Sequence, residues 1–181
     1  MALIEEKKFQ LDIGELTISS GRESEAQRLI EYVQQISRET DYLRFSPGEF
    51  DMSVDEEKQF LRNYNESENK IFVVARLDGE VVGTLNFESP QIKRYSHRGE
   101  TGISVVRKYW GHGIGSCLLE VMLDWTKDNN YKKIGLRVDA SNKRAIELYK
   151  KYGFKIEGTL KRHRLMEDGE YRDEYYMGLI L

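Results

Sequence analysis

Apolar positions along this chain follow two spacings, and each switch between them marks an element. Residues 16–18 read as a short strand. Ala26, Leu29, Ile30, Val33 and Ile36 then fall three and four apart, which is one face of a helix. A second helix is expected from Ser53, because Ser53 and Glu56 have capping-box spacing and Phe60, Leu61 and Tyr64 follow. The runs IFVVARL and VVGTLNF flank Asp78-Gly79 and predict a β-hairpin. The polar stretch SPQIKRYSHRG is a loop, and residues 101–106 are another strand. After RKYWGHGIGS comes a long helix with Ile114, Cys117, Leu118, Val121, Met122 and Trp125 in one stripe. Residues 134–138 read as a strand. Ser141 or Asn142 caps the next helix, which presents Ala145, Leu148, Tyr149 and Tyr152 and stops at Gly153. Two last strands, from Phe154 onward, flank Asp168-Gly169. Two helices near the start and three strands in succession do not alternate as in a doubly wound fold; the order predicts an α+β domain on one central sheet.

Length fits this reading, since 181 residues suffice for one domain spanning 1–181 and leave little room for a second core. Two prolines and no Gly/Ser-rich tract give no candidate linker. Charge narrows the partners. Lys and Arg number 28 against 31 Asp and Glu, and a net charge of −3 argues against nucleic acid. Residues 132–164 nevertheless carry eleven basic residues and three acidic ones, so an anionic small ligand or a merely solvated face remains open there. The single Cys117 excludes an internal disulfide and suggests a reducing compartment. The opening MALIEEKKFQ lacks an apolar signal region, and no stretch is long and apolar enough for a membrane span, so a cytoplasmic location without membrane contact is expected.

The chemistry concentrates at Trp110-Gly111-His112-Gly113-Ile114-Gly115-Ser116, between a strand and a helix. Glycines at alternate positions let the backbone approach a ligand, and the start of the following helix favours an anion such as a pyrophosphate. The spacing fails the dinucleotide fingerprint, because Ser116 stands where its third glycine belongs, and it lacks the Gly-Lys-Ser/Thr of a P-loop. A plain sharp turn is the bland alternative. Farther on, Asn142 to Phe154 reads NKRAIELYKKYGF.

These two segments together resemble the GNAT superfamily of N-acetyltransferases, over nearly the whole chain and in the right order. Its first motif is (Arg/Gln)-x-x-Gly-x-(Gly/Ala); its second is Asn-x-x-Ala-x-x-Leu-Tyr followed by Gly-Phe. HRGETGISV, the YWGHGIG loop and the tail EDGEYRDEYYMGL are similar to the branch of ribosomal-protein-alanine and amino-acid acetyltransferases. Trp110 departs from the pattern by standing where Arg or Gln is usual.

The resemblance implies a mixed, mostly antiparallel sheet flanked by about four helices, splayed between the fourth and fifth strands. It implies acetyl-CoA as acyl donor. Its pyrophosphate would lie on the backbone of Gly111, His112, Gly113, Ile114, Gly115 and Ser116, its pantetheine arm along Val105 and Val106, and its acetyl end near Asn142. Tyr149 matches the tyrosine facing the thioester sulfur; its apolar stripe alone would make it a packed core residue. The implied acceptor is a primary amine: a free amino acid or similar small amine, a protein N-terminus, or a polyamine or aminoglycoside. A homodimer fits the family, and a non-catalytic acyl-CoA sensor is the rival outside the enzyme class.

Two questions stay open at the level of residues. Glu100, entering the fourth strand, is a candidate general base or an ordinary strand-end carboxylate. Some relatives carry a Glu at the position that is Arg137 here. His97, His112, His163 and Cys117 have no metal-ligand spacing, so no metal is expected; His112 reads as a loop residue beside the phosphate and Cys117 as core.

Overall fold

The computed structural model describes residues 3–181. These fall into two compact units: residues up to 88 together with 103–125, and residues 89–102 together with 126–181.

The first unit opens with an antiparallel meander. Strand β1 (Lys7–Leu11) pairs β2 (Gly14–Ser20), β2 pairs β3 (Lys70–Leu77), and β3 pairs β4 (Glu80–Glu88). β1 has no counterpart in the sequence reading, because KKFQL alternates no buried face and lies exposed along most of its length. The predicted hairpin is present, with Asp78 and Gly79 both at positive φ in its turn. Helix α1 (Ala26–Glu39) buries Ala26, Leu29, Ile30 and Ile36 as its periodicity requires, and adds Tyr32. Helix α2 (Val54–Glu66) begins where expected: Ser53 Oγ accepts from Glu56 N at 3.3 Å, and Glu56 returns the contact to Ser53 N at 2.8 Å. Ala26, Leu29, Leu61 and Val74 form one buried cluster; Tyr32, Ile36 and Val106 form another.

Strand β5 (Arg98–Val105) contributes residues 103–105 to this unit and 98–102 to the other. Helix α3 (Ile114–Asp128) follows a single 3-10 turn at Arg107–Tyr109. Its start can lie close to β4 because Gly83 carries no side chain: a Cβ there would meet the Ser104 carbonyl oxygen at 3.1 Å, Leu118 at 3.2 Å and Ile114 at 3.3 Å.

In the second unit, β6 (Lys133–Asp139) leads into α4 (Lys143–Lys151) and then the hairpin β7 (Lys155–Leu165) and β8 (Tyr171–Ile180). β8 lies between β6 and β7, antiparallel to both. β6 pairs with β8 through all its residues, from Lys133↔Ile180 to Asp139↔Glu174. Its parallel ladder with β5 is far shorter: Arg98↔Lys133, Gly99↔Ile134 and Glu100↔Gly135. These two strands, fourth and fifth in the sequence reading, therefore separate after Glu100. Ile134, Leu136, Val138 and Met177 are buried, and Phe154 is packed at 2 % exposure. Among the described residues, four α-helices and eight strands match the expected α+β class.

Candidate active site

The glycine loop lies in the first unit and is built by backbone conformation. Gly111 and Gly113 adopt φ of 94° and 88°, a region that side-chain-bearing residues rarely enter. The first intrahelical bond of α3 runs from Cys117 N to the Gly113 carbonyl at 3.0 Å. The amides of Ile114, Gly115 and Ser116 therefore precede that ladder, at the positive end of the helix dipole. A Cβ on Gly113 would meet only Leu11, at 3.8 Å, so packing does not force glycine there; the turn does. His112 Nδ1 lies 3.0 Å from Asp12 in the β1–β2 turn, which ties the loop to the meander. Cys117 is buried on the helix stripe, and that burial pushes its thiol pKa upward.

Trp110, the departure from the motif, has a definite position. Its indole N–H donates to the Val105 carbonyl at 2.7 Å. Val106 donates its N–H to the Val82 carbonyl at 2.9 Å and accepts from Tyr109 N at 3.0 Å. Both main-chain groups of Val106 are thus engaged, and its side chain belongs to the core at 2 % exposure. Next to it is a polar chain that periodicity could not reveal: Tyr32 Oη lies 2.9 Å from Ser104 Oγ, which lies 3.0 Å from Thr84 Oγ1.

In the second unit, Asn142 is the N-cap of α4, its Oδ1 accepting from Ala145 N at 3.2 Å. The turn before it is held by Asp139, which the sequence reading did not single out. Asp139 is 4 % exposed and accepts from Ser141 N at 2.8 Å and Ser141 Oγ at 2.6 Å. Arg164 and Arg172, from the two strands of the hairpin, approach its other oxygen at 3.4 and 3.7 Å. The Asp-x-Ser-Asn pattern just ahead of a helix was the available signal, since a short carboxylate there closes a turn.

Tyr149 is 5 % exposed, with its ring centroid 5.7 Å from that of Phe154. Burial pushes its phenol well above the ordinary value, so the group stays a neutral donor. Glu100 sits on β5 opposite Gly135, about half exposed, with Arg137 3.9 Å away on β6.

A profile of the GNAT family of acetyltransferases matches residues 27–154, which include the glycine loop, the Asn142 cap and Tyr149. The chain belongs to that family. It is similar to the L-amino acid N-acetyltransferase AaaT of Escherichia coli, 42% identical over 110 residues that make up 60% of this chain and 67% of the relative. A crystal structure of a GNAT-family acetyltransferase from Streptococcus pneumoniae superposes with a TM-score of 0.88 at 32% identity, covering 92% of this chain and 99% of the other. The protein yncA of Salmonella typhimurium, solved with its cofactor acetyl-CoA, shares the fold at a TM-score of 0.80 and 17% identity, covering 92% and 94%. The chain is accordingly an N-acetyltransferase of the GNAT fold.

Proposed function

We propose that this acetyltransferase moves an acetyl group from acetyl-CoA to the primary amine of a free amino acid or similar small amine, by direct transfer in a ternary complex. The observation that carries the donor assignment is the Gly111–Gly113 turn opening α3, which offers consecutive amides to an anion. The likeness to an L-amino acid N-acetyltransferase supports the acceptor class.

The amides of residues 111–116 would hold the pyrophosphate of this substrate. Val105 would pair with the pantetheine arm; Val106, with its amide committed to Val82, would contribute packing instead. Asn142 keeps its amide NH₂ available after capping α4 and would donate at the acetyl end. Alignment of amine and thioester removes much of the entropic barrier. The attacking nitrogen gains a bond to the acetyl carbon as the carbon–sulfur bond breaks, and the amine proton leaves to Glu100 or to water. Tyr149 would donate a hydrogen bond to the departing sulfur. A thiol pKa near 8.5 lies below even the ordinary phenol value of about 10, and burial widens that gap, so the hydroxyl stabilises the thiolate without surrendering its proton.

Free-thiol release from acetyl-CoA across an amine panel tests the reading. The rate follows the neutral fraction of the amine: with a peptide N-terminus it levels at about pH 8, whereas with a free α-amino acid, whose carboxylate stabilises the ammonium, it keeps rising above that. Glu100→Gln lowers it chiefly on the acidic side. Binding of acetyl-CoA with no turnover on any amine would make the chain an acyl-CoA sensor.

A further inference from the structure

We infer that Arg137 and Glu100 form a subsite for the zwitterionic head of the acceptor, with the Arg137 guanidinium taking the α-carboxylate and Glu100 taking the α-ammonium. This rests on the acetyltransferase reading above and narrows it to free α-amino acids.

The argument starts from the point where β5 and β6 part. Glu100 is opposite Gly135 in the last recorded pair of the parallel ladder. Arg137 lies two residues farther along β6, so both side chains project from the same face of the sheet. Tyr176 of β8 is opposite Arg137 in register, and its hydroxyl accepts from Arg98 at 3.3 Å. The phenol lies over Gly135, where any Cβ would collide with it, so Tyr176 can occupy that place only because residue 135 is glycine. Burial, and after it the charge of Glu100, pushes the Tyr176 phenol upward, which registers the carboxylate close by. The result is a short polar floor with a cation and an anion side by side and an aromatic hydroxyl between the strands.

The Arg137–Glu100 pair itself is loose. Its 3.9 Å separation exceeds the 2.6 Å of Lys133–Glu157 and the 3.4 Å of Arg164–Asp139 in the same unit, and the two side chains are 50% and 46% exposed. Such a pair contributes little to stability, and two long side chains in water separate at small cost. An α-amino acid offers each of them a better partner, because guanidinium meets carboxylate in a two-bond fork and carboxylate meets ammonium in a charge-assisted bond. Other amines satisfy only half the site. A peptide N-terminus presents an amide where the carboxylate belongs, and a polyamine brings a cation toward Arg137.

The test follows free-thiol release from acetyl-CoA with L-amino acids, each beside its carboxamide. With each rate referred to the neutral form of its amine, wild type favours the acid over the amide by at least about tenfold in kcat/KM, the worth of one good charge-assisted interaction. In Arg137→Gln that ratio falls to about one, and Arg137→Lys, keeping the charge without the fork, restores part of it. A wild-type ratio near one, or a ratio undiminished in Arg137→Gln, overturns the subsite. Should acetyl-CoA bind without turnover of any amine, the acetyl-transfer reading fails separately; calorimetric titration of the amino acid and its carboxamide into wild type and Arg137→Gln then decides the subsite by the same ratio.

Discussion

Two arginine–glutamate pairs, one in each unit, show how differently the same two residue types can be used. In the first unit Arg76 and Glu25 meet through two bonds of 2.5 and 2.6 Å, with side chains only 8% and 12% exposed. Arg76 also donates to Ser19 Oγ and to the Val74 carbonyl, both at 3.0 Å, and to the Ser20 carbonyl at 3.4 Å, so all five of its guanidinium N–H groups are engaged. In the second unit Arg137 and Glu100 stand 3.9 Å apart and half exposed. A saturated, buried pair fixes where a helix start sits on a strand and has nothing left to offer a ligand. A loose pair in water fixes little and keeps its charges available. Burial and bond count, rather than residue identity, separate a structural charge from one left available to a ligand.

The sharpest way to break this contrast is thermodynamic. Glu25→Gln leaves the Arg76 charge buried without its counter-ion and should cost about 3–5 kcal/mol in urea unfolding. Arg137→Gln should fall within about 0.5 kcal/mol of wild type. Equal costs would end the distinction. The pH dependence has a defined sign as well. Burial alone would raise the Glu25 carboxyl, but the bonds to Arg76 and its charge hold it below the usual range. Its contribution is therefore complete above the unfolded carboxylate range and is lost as pH falls through the depressed value.

A second test probes the glycine loop, where the proposed pyrophosphate site rests on backbone rather than side-chain charge. Gly113→Val forces a branched residue into φ of 88°, which distorts the turn that opens α3. At a donor concentration of 100 times the wild-type Kd, acetyl-CoA should stabilise wild type by about 2.7 kcal/mol. The variant should show almost none of this in a melting experiment. An unchanged ligand-induced shift would remove the loop as the pyrophosphate site.

Tyr149 carries the third. Tyr149→Phe keeps the ring against Phe154. Stability should hold while the rate constant falls roughly 10²-fold, with the KM for acetyl-CoA little changed. Wild-type turnover in the Phe variant, with chemistry rate-limiting, would leave Tyr149 a packing residue.

The parts of this protein that could be read in advance are those written in local pattern. The helix faces, the Ser53 capping box and the Asp78-Gly79 hairpin depend on neighbours within a few residues, and the structure has them where the pattern put them. β1 could not be read, because an exposed edge strand rich in lysine needs only one ladder and no buried face. The glycine loop was legible because its conformational demand is carried by glycine itself. The arginines gathered on Asp139, the Tyr32–Ser104–Thr84 chain and the Arg137–Glu100 pair were not, since each joins residues by strand register or long-range packing. Val106, named from its motif position, has its N–H bonded to the Val82 carbonyl of β4, a long-range contact that the motif does not show.

The smallest expected effect sharpens the comparison by pairing Glu25 with a second buried carboxyl of the same unit. Glu57, in α2, is 5 % exposed, and burial pushes its carboxyl up to about 7. Its place near the helix start favours the ionised form by a few tenths to 1 kcal/mol, which offsets only part of that desolvation. Between the unfolded carboxylate value, near 4.3, and about 7, the folded state holds more protons than the unfolded one. Stability must then fall as pH rises across that window and level off above it, opposite in sense to Glu25. Glu57→Gln keeps the shape and removes the titration. The variant should match wild type near pH 4 and exceed it by about 1–2 kcal/mol at pH 8, a discounted share of the full shift. Urea unfolding of both proteins at the two pH values measures this directly. A variant less stable than wild type at pH 8 would mean that the Glu57 carboxylate is satisfied in the fold, and that burial without a basic partner is no guide to which charges this protein tolerates.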